Sequence, residues 1–272
     1  MIKRLYPGGK RKAFNISYDD GVVQDIRFVE LLNKYSLKGT FNLNYGLMRQ
    51  GFTWQHDCGM TVCRIPEEQI NVVYAGHEIA SHSYSHPYFD NATETEILKE
   101  LGSDKFFLER LTGREVVGYA TPFYYYSDLM ADCVRHCGFQ YARISEESND
   151  YSIPEDFYRW KGSKFHWDPD LKDFVRGFLE TDRELALCQL VGHSYDLDVM
   201  DIWDTMEEIF LWVSENPEVW PATHGELIAY LRNMSLAKVT EREIINESDS
   251  ELWFAVDGNI VKLGPGEKFT RN

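Results

Sequence analysis

Lys12-Ala13-Phe14-Asn15-Ile16-Ser17-Tyr18-Asp19-Asp20-Gly21 is an apolar run that stops on two carboxylates and a glycine. Residues 12–18 read as a β-strand, and Asp19-Asp20-Gly21 as the turn that ends it. Downstream, helices alternate with strands. Helical periodicity spans residues 25–35, with Ile26, Val29, Leu31 and Leu32 near one face. A second strand covers 39–43. Residues 46–65, rich in glycine, cysteine and aromatics, read as an inserted loop. Pro66 opens a helix whose first turn carries Glu67 and Glu68, favourable at the positive end of the helix dipole. A short strand at 78–81 is followed by a Thr93/Glu96 capping box and a helix to residue 111. Then come a strand at 116–120, a helix at 127–136 ended near Gly138, and an irregular stretch at 145–170. A helix at 171–179, a strand at 185–191 and helices at 200–214 and 223–232 complete the pattern.

Such alternation implies a parallel sheet with helices outside it, and about seven repeats point to a closed or nearly closed barrel. The expected fold is α/β, a distorted (β/α)7-type barrel over residues 1–235. From 236 to 272 the character changes. Apolar runs at 252–256 and 260–263 flank Asp257-Gly258, a hairpin signal, so this part is expected to be a small C-terminal β extension.

The 272 residues carry 28 Lys and Arg against 44 Asp and Glu, a formal charge of −16. A surface that negative repels phosphate backbones and anionic membranes, so nucleic acid and membrane are not expected partners. No segment approaches the roughly 18 apolar residues of a membrane span, and the first residues lack a signal-peptide core. The expected location is cytoplasmic, unless a leader was removed. Five cysteines, an odd number, suggest free thiols in a reducing compartment.

Three stretches carry chemistry. Asp19 and Asp20 stand at the C-terminal end of the first strand, the end where parallel barrels place their active sites. Gly76-His77-Glu78-Ile79-Ala80-Ser81-His82-Ser83-Tyr84-Ser85-His86-Pro87 holds His82 and His86 four apart. Pro87 disfavours helical geometry at His86, so a loop is expected there. An Asp/His/His set with open positions suits Zn²⁺ and other divalent transition ions. Leu190-Val191-Gly192-His193 ends a late strand in a histidine at the same mouth. Singly, these stretches are equally the marks of a solvated turn or a structural histidine. Their combination is what raises the catalytic reading.

Together they resemble the NodB-homology polysaccharide deacetylases, carbohydrate esterase family four. Ser17-Tyr18-Asp19-Asp20-Gly21 matches the family's TFDDG, His82-Ser83-Tyr84-Ser85-His86 matches H(S/T)xxH, and His193 matches the strand-borne histidine of the last motif. The resemblance spans roughly residues 12–232. It implies a hydrolase of carbon–nitrogen bonds acting on an N-acetylated sugar or related amide. Asp20, His82 and His86 would hold a divalent metal, zinc first, with cobalt, nickel or iron as alternatives. Asp19 would be the base and His193 the acid. Relatives of this fold also cleave cyclic amides, formamides or O-acetyl esters, and a binding module with a decayed site is a third reading.

Two motifs depart. The third, RxPY in the family, reads Ala120-Thr121-Pro122-Phe123, so the arginine that would orient the base is missing. The fourth, DxxDW, is matched loosely by Asp156-Phe157-Tyr158-Arg159-Trp160, with Arg159 where an aspartate would tune the acid. Arg159 either replaces the missing cation beside Asp19 or is a surface residue beside a core Trp160, in which case something else supports His193; Asp196 and Asp198 lie near it in sequence. Pro122, Phe123, Tyr124, Trp160, Arg159 and Val191 are the expected substrate-side residues. Trp160 and Trp167 are either a sugar-stacking wall or buried aromatics, and His166 lies in an aromatic loop that could rim the site. His224 begins the last helix; His56 and His136 read as surface residues.

Overall fold

The strand at the head of the motif is buried on both faces. In the computed structural model, which describes residues 1–271, all eight residues of Lys12–Asp19 are out of solvent. Phe14, Ile16 and Tyr18 enter the core under the helices. The alternate set, Asn15, Ser17 and Asp19, faces the barrel interior. There Asn15 Nδ2 donates to Ala222 O at 2.7 Å, and Asn42 Nδ2 donates to Ser17 Oγ at 2.9 Å. The alternation of apolar and polar residues separates helix layer from barrel lumen, not core from water.

In chain order the strands are β1 (Ile2–Leu5), β2 (Lys12–Asp19), β3 (Thr40–Leu43), β4 (Thr53–Gln55), β5 (Thr61–Cys63), β6 (Glu78–Ser81), β7 (Gly118–Ala120), β8 (Tyr141–Glu147), β9 (Trp160–Gly162), β10 (Lys164–Phe165), β11 (Ala186–Gly192), β12 (Val219–Pro221), β13 (Lys238–Val239), β14 (Glu243–Ile245), β15 (Leu252–Val256), β16 (Asn259–Leu263) and β17 (Lys268–Thr270). The helices are α1 (Asp25–Lys34), α2 (Tyr45–Arg49), α3 (Ile70–Val73), α4 (Glu94–Thr112), α5 (Asp128–His136), α6 (Leu171–Glu180), α7 (Ser194–Val199), α8 (Trp203–Glu215) and α9 (His224–Ser235).

The main sheet runs β10-β11-β2-β3-β6-β7-β8-β9, all parallel, with β12 added to β2. Its two end strands, β9 and β10, are consecutive in sequence and separated only by Ser163. One six-residue stretch therefore pairs with β8 through its first half and β11 through its second. Ser163 N–H bridges to Gln189 O at 3.0 Å. The barrel is thus nearly closed, as the alternation predicts.

The capping box at Thr93 and Glu96 forms, and Gly113 ends α4 in the left-handed conformation at φ 67°. Three features were not legible. The stretch 46–65 contains α2 and the β4–β5 hairpin, not a bare loop. Residues 141–147 form a full barrel strand. The irregular stretch contains β9 and β10.

The tail makes two small sheets, β13-β14-β17 and β1-β15-β16, the second including the N-terminal strand. One apolar cluster runs from Ala13 and Leu187 through Leu227, Ile228 and Leu231 of α9 to Leu252 and Phe254. Tyr230 Oη donates to Leu5 O at 2.5 Å. The tail is therefore packed on α9 and on the strand starts, at the end of the barrel away from Asp19. All five cysteines are free. No helix among the described residues is long and apolar enough to cross a membrane.

Candidate metal and acid–base centre

The chain leaves β2 in a strained turn. Asp20 has φ 84° and Gly21 φ 65°, and a Cβ at Gly21 would lie 2.7 Å from Leu43 Cδ2. Ser83, His86 and Phe123 also have positive φ, at 65°, 54° and 55°. Left-handed backbone costs a non-glycine residue about 1–2 kcal/mol, so the strain gathered here is held by the surrounding fold. His86 lies in a loop, as Pro87 predicts.

The turn and the loop bring Asp20, His82 and His86 together, each offering a ligand atom within 4.8 Å of the others. His86 Nε2 is 3.8 Å from Asp20 Oδ1. Ligands about 2.0–2.2 Å from a tetrahedral ion sit about 3.4 Å apart, so small side-chain shifts close the set. His82 Nδ1 is 2.9 Å from Ala120 O, which fixes the tautomer and turns Nε2 toward the site. Burial pushes the His82 pKa down to about 4 and lowers that of His86, so both rings carry free lone pairs at neutral pH. One carboxylate and two neutral imidazoles fit a divalent transition ion. Burial opposes charge on Asp20, but Arg64 Nη1 at 2.9 Å and the site histidines hold its carboxyl well below the usual range. Arg64, from the β4–β5 insertion, had no signal in the sequence. His77 is apart from this set, its Nδ1 accepting from Gly39 N–H at 3.1 Å.

Asp19 lies beside the triad, its Oδ2 4.0 Å from His82 Nε2. Burial opposes its ionisation too, yet Arg143, His82 and His193 outweigh burial and lower its pKa. Asn42 Nδ2 donates to Oδ1 at 2.7 Å, and the Arg143 guanidinium pairs with the same oxygen. Arg143, not Arg159, supplies the missing cation. In β8 it is the register partner of Ala120, so the guanidinium has moved one strand sideways at the same level of the barrel.

Arg159 does not reach Asp19: it closes the one-turn 3₁₀ helix Phe157–Arg159 before β9, on the surface. Trp160, the first residue of β9, shares the inward face with its register partner Arg143, while the Arg159 side chain is part-exposed outside the barrel. There it pairs with Asp128 in the first turn of α5 and with Asp156 at 3.9 Å. Trp160 is likewise no wall of the mouth. It is 1% exposed, edge-on to His224 at 4.6 Å inside the barrel. His224 is fully buried, and burial with the Arg143 charge pushes its pKa down to about 3.

Opposite Asp19 stands His193, after the last residue of β11. Its Nε2 is 3.9 Å from Asp20 Oδ2, and its Nδ1 is 2.9 Å from Asp196 Oδ2. Burial favours the neutral ring, but Asp196, Asp20 and Asp19 prevail and raise the pKa to about 9. Asp198 is elsewhere, accepting from Trp203 Nε1 at 2.8 Å. The His193 ring lies between Trp167 and Tyr195, near-parallel to both at 6.1 and 4.9 Å.

A cavity of about 250 Å³ joins these groups, with Val191 and Gly192 on one wall and Phe123, Tyr124, Phe165 and Trp167 toward the opening. Phe123 stacks on Tyr88 at 3.6 Å and meets His86 edge-on at 4.5 Å. Pro122 is buried behind it and does not line the cavity. Of the expected substrate-side residues, then, Phe123, Tyr124 and Val191 face the cavity, and Pro122, Arg159 and Trp160 do not.

No curated protein matches the chain. A solved structure from Mycobacterium smegmatis, described as a polysaccharide deacetylase, superposes with a TM-score of 0.65 at 19% identity, over 88% of this chain and 96% of that one. A family 4 acetyl xylan esterase from Clostridium thermocellum, in complex with a cobalt ion, gives 0.52 at 18%, over 80% and 90%. A CE4 family pseudoenzyme from Bacillus anthracis gives 0.50 at 17%, over 83% and 68%. At these identities the likeness speaks for the fold. The family model for polysaccharide deacetylase matches residues 7–142, half of the chain, ending one residue short of Arg143. Asp19, Asp20, His82 and His86 all fall inside that span, on the barrel shared with those structures, and the chain belongs to the polysaccharide deacetylase family.

Proposed function

We propose that the protein is a metal-dependent deacetylase that removes an acetyl group from an amide nitrogen, with Asp19 as base and His193 as acid. The observation that carries this is geometric: Asp20, His82 and His86 offer ligand atoms within 4.8 Å of one another, with Asp19 beside them and His193 lining the same cavity. Asp19 is held ionised, ready to accept a proton, and His193 is held protonated, with a pKa raised to about 9. Pairs pushed apart in this way suit acid–base division of labour.

Asp20, His82 and His86 would hold the ion, zinc first, with cobalt, nickel or iron as alternatives. When bound, such an ion polarises the acyl carbonyl and makes water a competent nucleophile near neutral pH. Asp19 takes the proton of the attacking water, with Arg143 and Asn42 holding the receiving carboxylate in place. His193 delivers a proton from Nε2 to the departing nitrogen, which leaves poorly without one. The Phe123 backbone N–H is the proposed donor to the developing oxyanion. The aromatic rings at the opening suit the faces of a sugar.

The cavity volume favours a second reading within the same chemistry. About 250 Å³ is below the usual range for a drug-sized ligand, which fits an acetyl group with part of one ring, or a small cyclic amide, formamide or O-acetyl ester. Acetate release from chitooligosaccharides and acetylated xylan, and ring opening of cyclic ureides, with Zn²⁺ or Co²⁺ added, separates these substrates. A purified protein that takes up no stoichiometric metal and releases no acetate would instead be a binding module with a decayed site.

A further inference from the structure

Asp196 faces two histidines. Its Oδ2 is 2.9 Å from His193 Nδ1 and 3.3 Å from His166 Nε2. The far side of His166 is closed by Tyr18, whose hydroxyl lies 2.5 Å from Nδ1. The Tyr18 ring lies flat on Phe28, with centroids 4.1 Å apart. Tyr18 and His166 are both buried. The backbone fixes the same row, because His166 N–H donates to Val191 O at 3.0 Å. Gly192 makes room for the ring: any Cβ there would collide with His166 Cε1 and Nδ1. The residue that precedes His193 is thus shaped around the imidazole at 166.

The protons can be placed by counting. An ionised carboxylate only accepts, so each imidazole must turn an N–H toward Asp196. Burial lowers the pKa of His166, and a neutral imidazole has a single N–H. That proton sits on Nε2, so Nδ1 is the acceptor for the Tyr18 hydroxyl. The row reads Tyr18 O–H to His166 Nδ1, His166 Nε2–H to Asp196, and His193 Nδ1–H to Asp196. It leaves His193 Nε2 facing the cavity. Without His166, Asp196 would be held only by the ring it has to orient, and the two could turn together.

We propose that His166, locked by Tyr18, is a positioning residue: it anchors Asp196 so that His193 aims its Nε2–H at the leaving nitrogen. The inference rests on His193 being the acid, as read above.

Two measurements test it. In ¹⁵N-histidine-labelled full-length protein at pH 7, His166 is expected as the neutral Nε2–H tautomer. Tyr18→Phe, which keeps the ring on Phe28, should move its Nδ1 resonance toward that of an unbonded acceptor. An Nδ1–H tautomer, an imidazolium, or an Nδ1 signal indifferent to Tyr18→Phe overturns the row. The kinetic measurement compares two probes on Zn²⁺-loaded protein: 4-nitrophenyl acetate, whose leaving group departs unprotonated, and tri-N-acetylchitotriose, whose amine needs a proton. His166→Leu should lower the amide-to-ester ratio of kcat about tenfold, with KM moving less than about threefold, and His166→Gln, which restores an N–H, should recover most of it. Equal losses on both probes, or no recovery by glutamine, overturn the proposal. His193→Gln separates the two levels. If it spares the ratio, the acid assignment itself fails; if it collapses the ratio while His166→Leu does not, only the positioning role fails.

Discussion

Replacing Arg143 by alanine removes the cation that faces Asp19. The two side chains are 1% and 8% exposed, so truncation leaves a buried carboxylate whose remaining direct donor is Asn42 Nδ2 at 2.7 Å. Breaking a buried pair from one side costs about 3–5 kcal/mol. Part of that is relieved, since Asp19 can take up a proton and His82 Nε2 remains 4.0 Å away. A loss of about 2–3 kcal/mol at pH 7 is therefore expected in urea unfolding. The pH dependence has a definite sign. Asp19's folded pKa is depressed, so its stabilisation is complete above the unfolded carboxylate pKa and is lost as pH falls through the lower folded value. Without Arg143 the depression shrinks, and the acid limb of both stability and kcat/KM moves to higher pH. At pH 7 kcat/KM for acetate release should fall about a hundredfold, the low end of what a positioned base contributes. Ala120 and Arg143 are register partners, so Ala120→Arg placed in the Arg143→Ala background should return a guanidinium to Asp19 and regain roughly tenfold. Near-wild-type kcat/KM in Arg143→Ala, at full metal content, would refute the assignment. A double variant no better than the single one would refute the claim that the two positions are interchangeable.

Arg159→Ala should leave kcat within about twofold of wild type and cost at most about 1 kcal/mol, because its partners are surface carboxylates; a large kcat loss would return Arg159 to the site. Chelation should abolish acetate release and lower the Tm, and added Zn²⁺ at a hundred times its Kd should restore about 2.7 kcal/mol; unaltered activity after complete metal removal would exclude the metal reading. Asp196→Asn removes the foremost charge that raises the His193 pKa to about 9. A raised histidine pKa gives stability that is full below the unfolded value and lost as pH rises through the folded one, so the basic limb should move to lower pH in this variant, and an unmoved limb in kcat–pH profiles would contradict the pairing. Gly21→Ala forces a Cβ at φ 65° toward Leu43 Cδ2, 2.7 Å away, and should destabilise the protein by about 1–3 kcal/mol in urea unfolding.

The nearly closed parallel barrel and the meeting of Asp19, Asp20, His82, His86 and His193 were legible because short motifs sat at strand ends, where a parallel barrel gathers its side chains. The supporting charges were not. Arg143 lies in Tyr141-Ala142-Arg143-Ile144-Ser145, whose inward residues are polar, so the run lacks the hydrophobic signature of a buried strand. Read with period two, with Tyr141, Arg143 and Ser145 on one face, it could have been found. For Arg159, position within a motif does not reveal that the residue falls in the one-turn helix before β9, facing Asp128 and Asp156. Asp196 was named as near His193 in sequence, but only the turn into α7 shows that it reaches Nδ1. Arg64 could not have been found, because its place depends on how the β4–β5 insertion folds over the mouth.

The single residue that separates β9 from β10 gives the barrel a seam. The stretch that zips the cylinder shut runs straight on into His166 and Trp167, so the closing strand and the side chains that flank Asp196 and His193 are one piece of chain. Asp19, Asp20 and His82 stand at the ends of β2 and β6, away from that join, whereas Arg143 sits in β8, the strand on which β9 closes. Opening the seam would therefore shift His166 and, through β8, Arg143 together, while β2 and β6 keep their own pairing through β3.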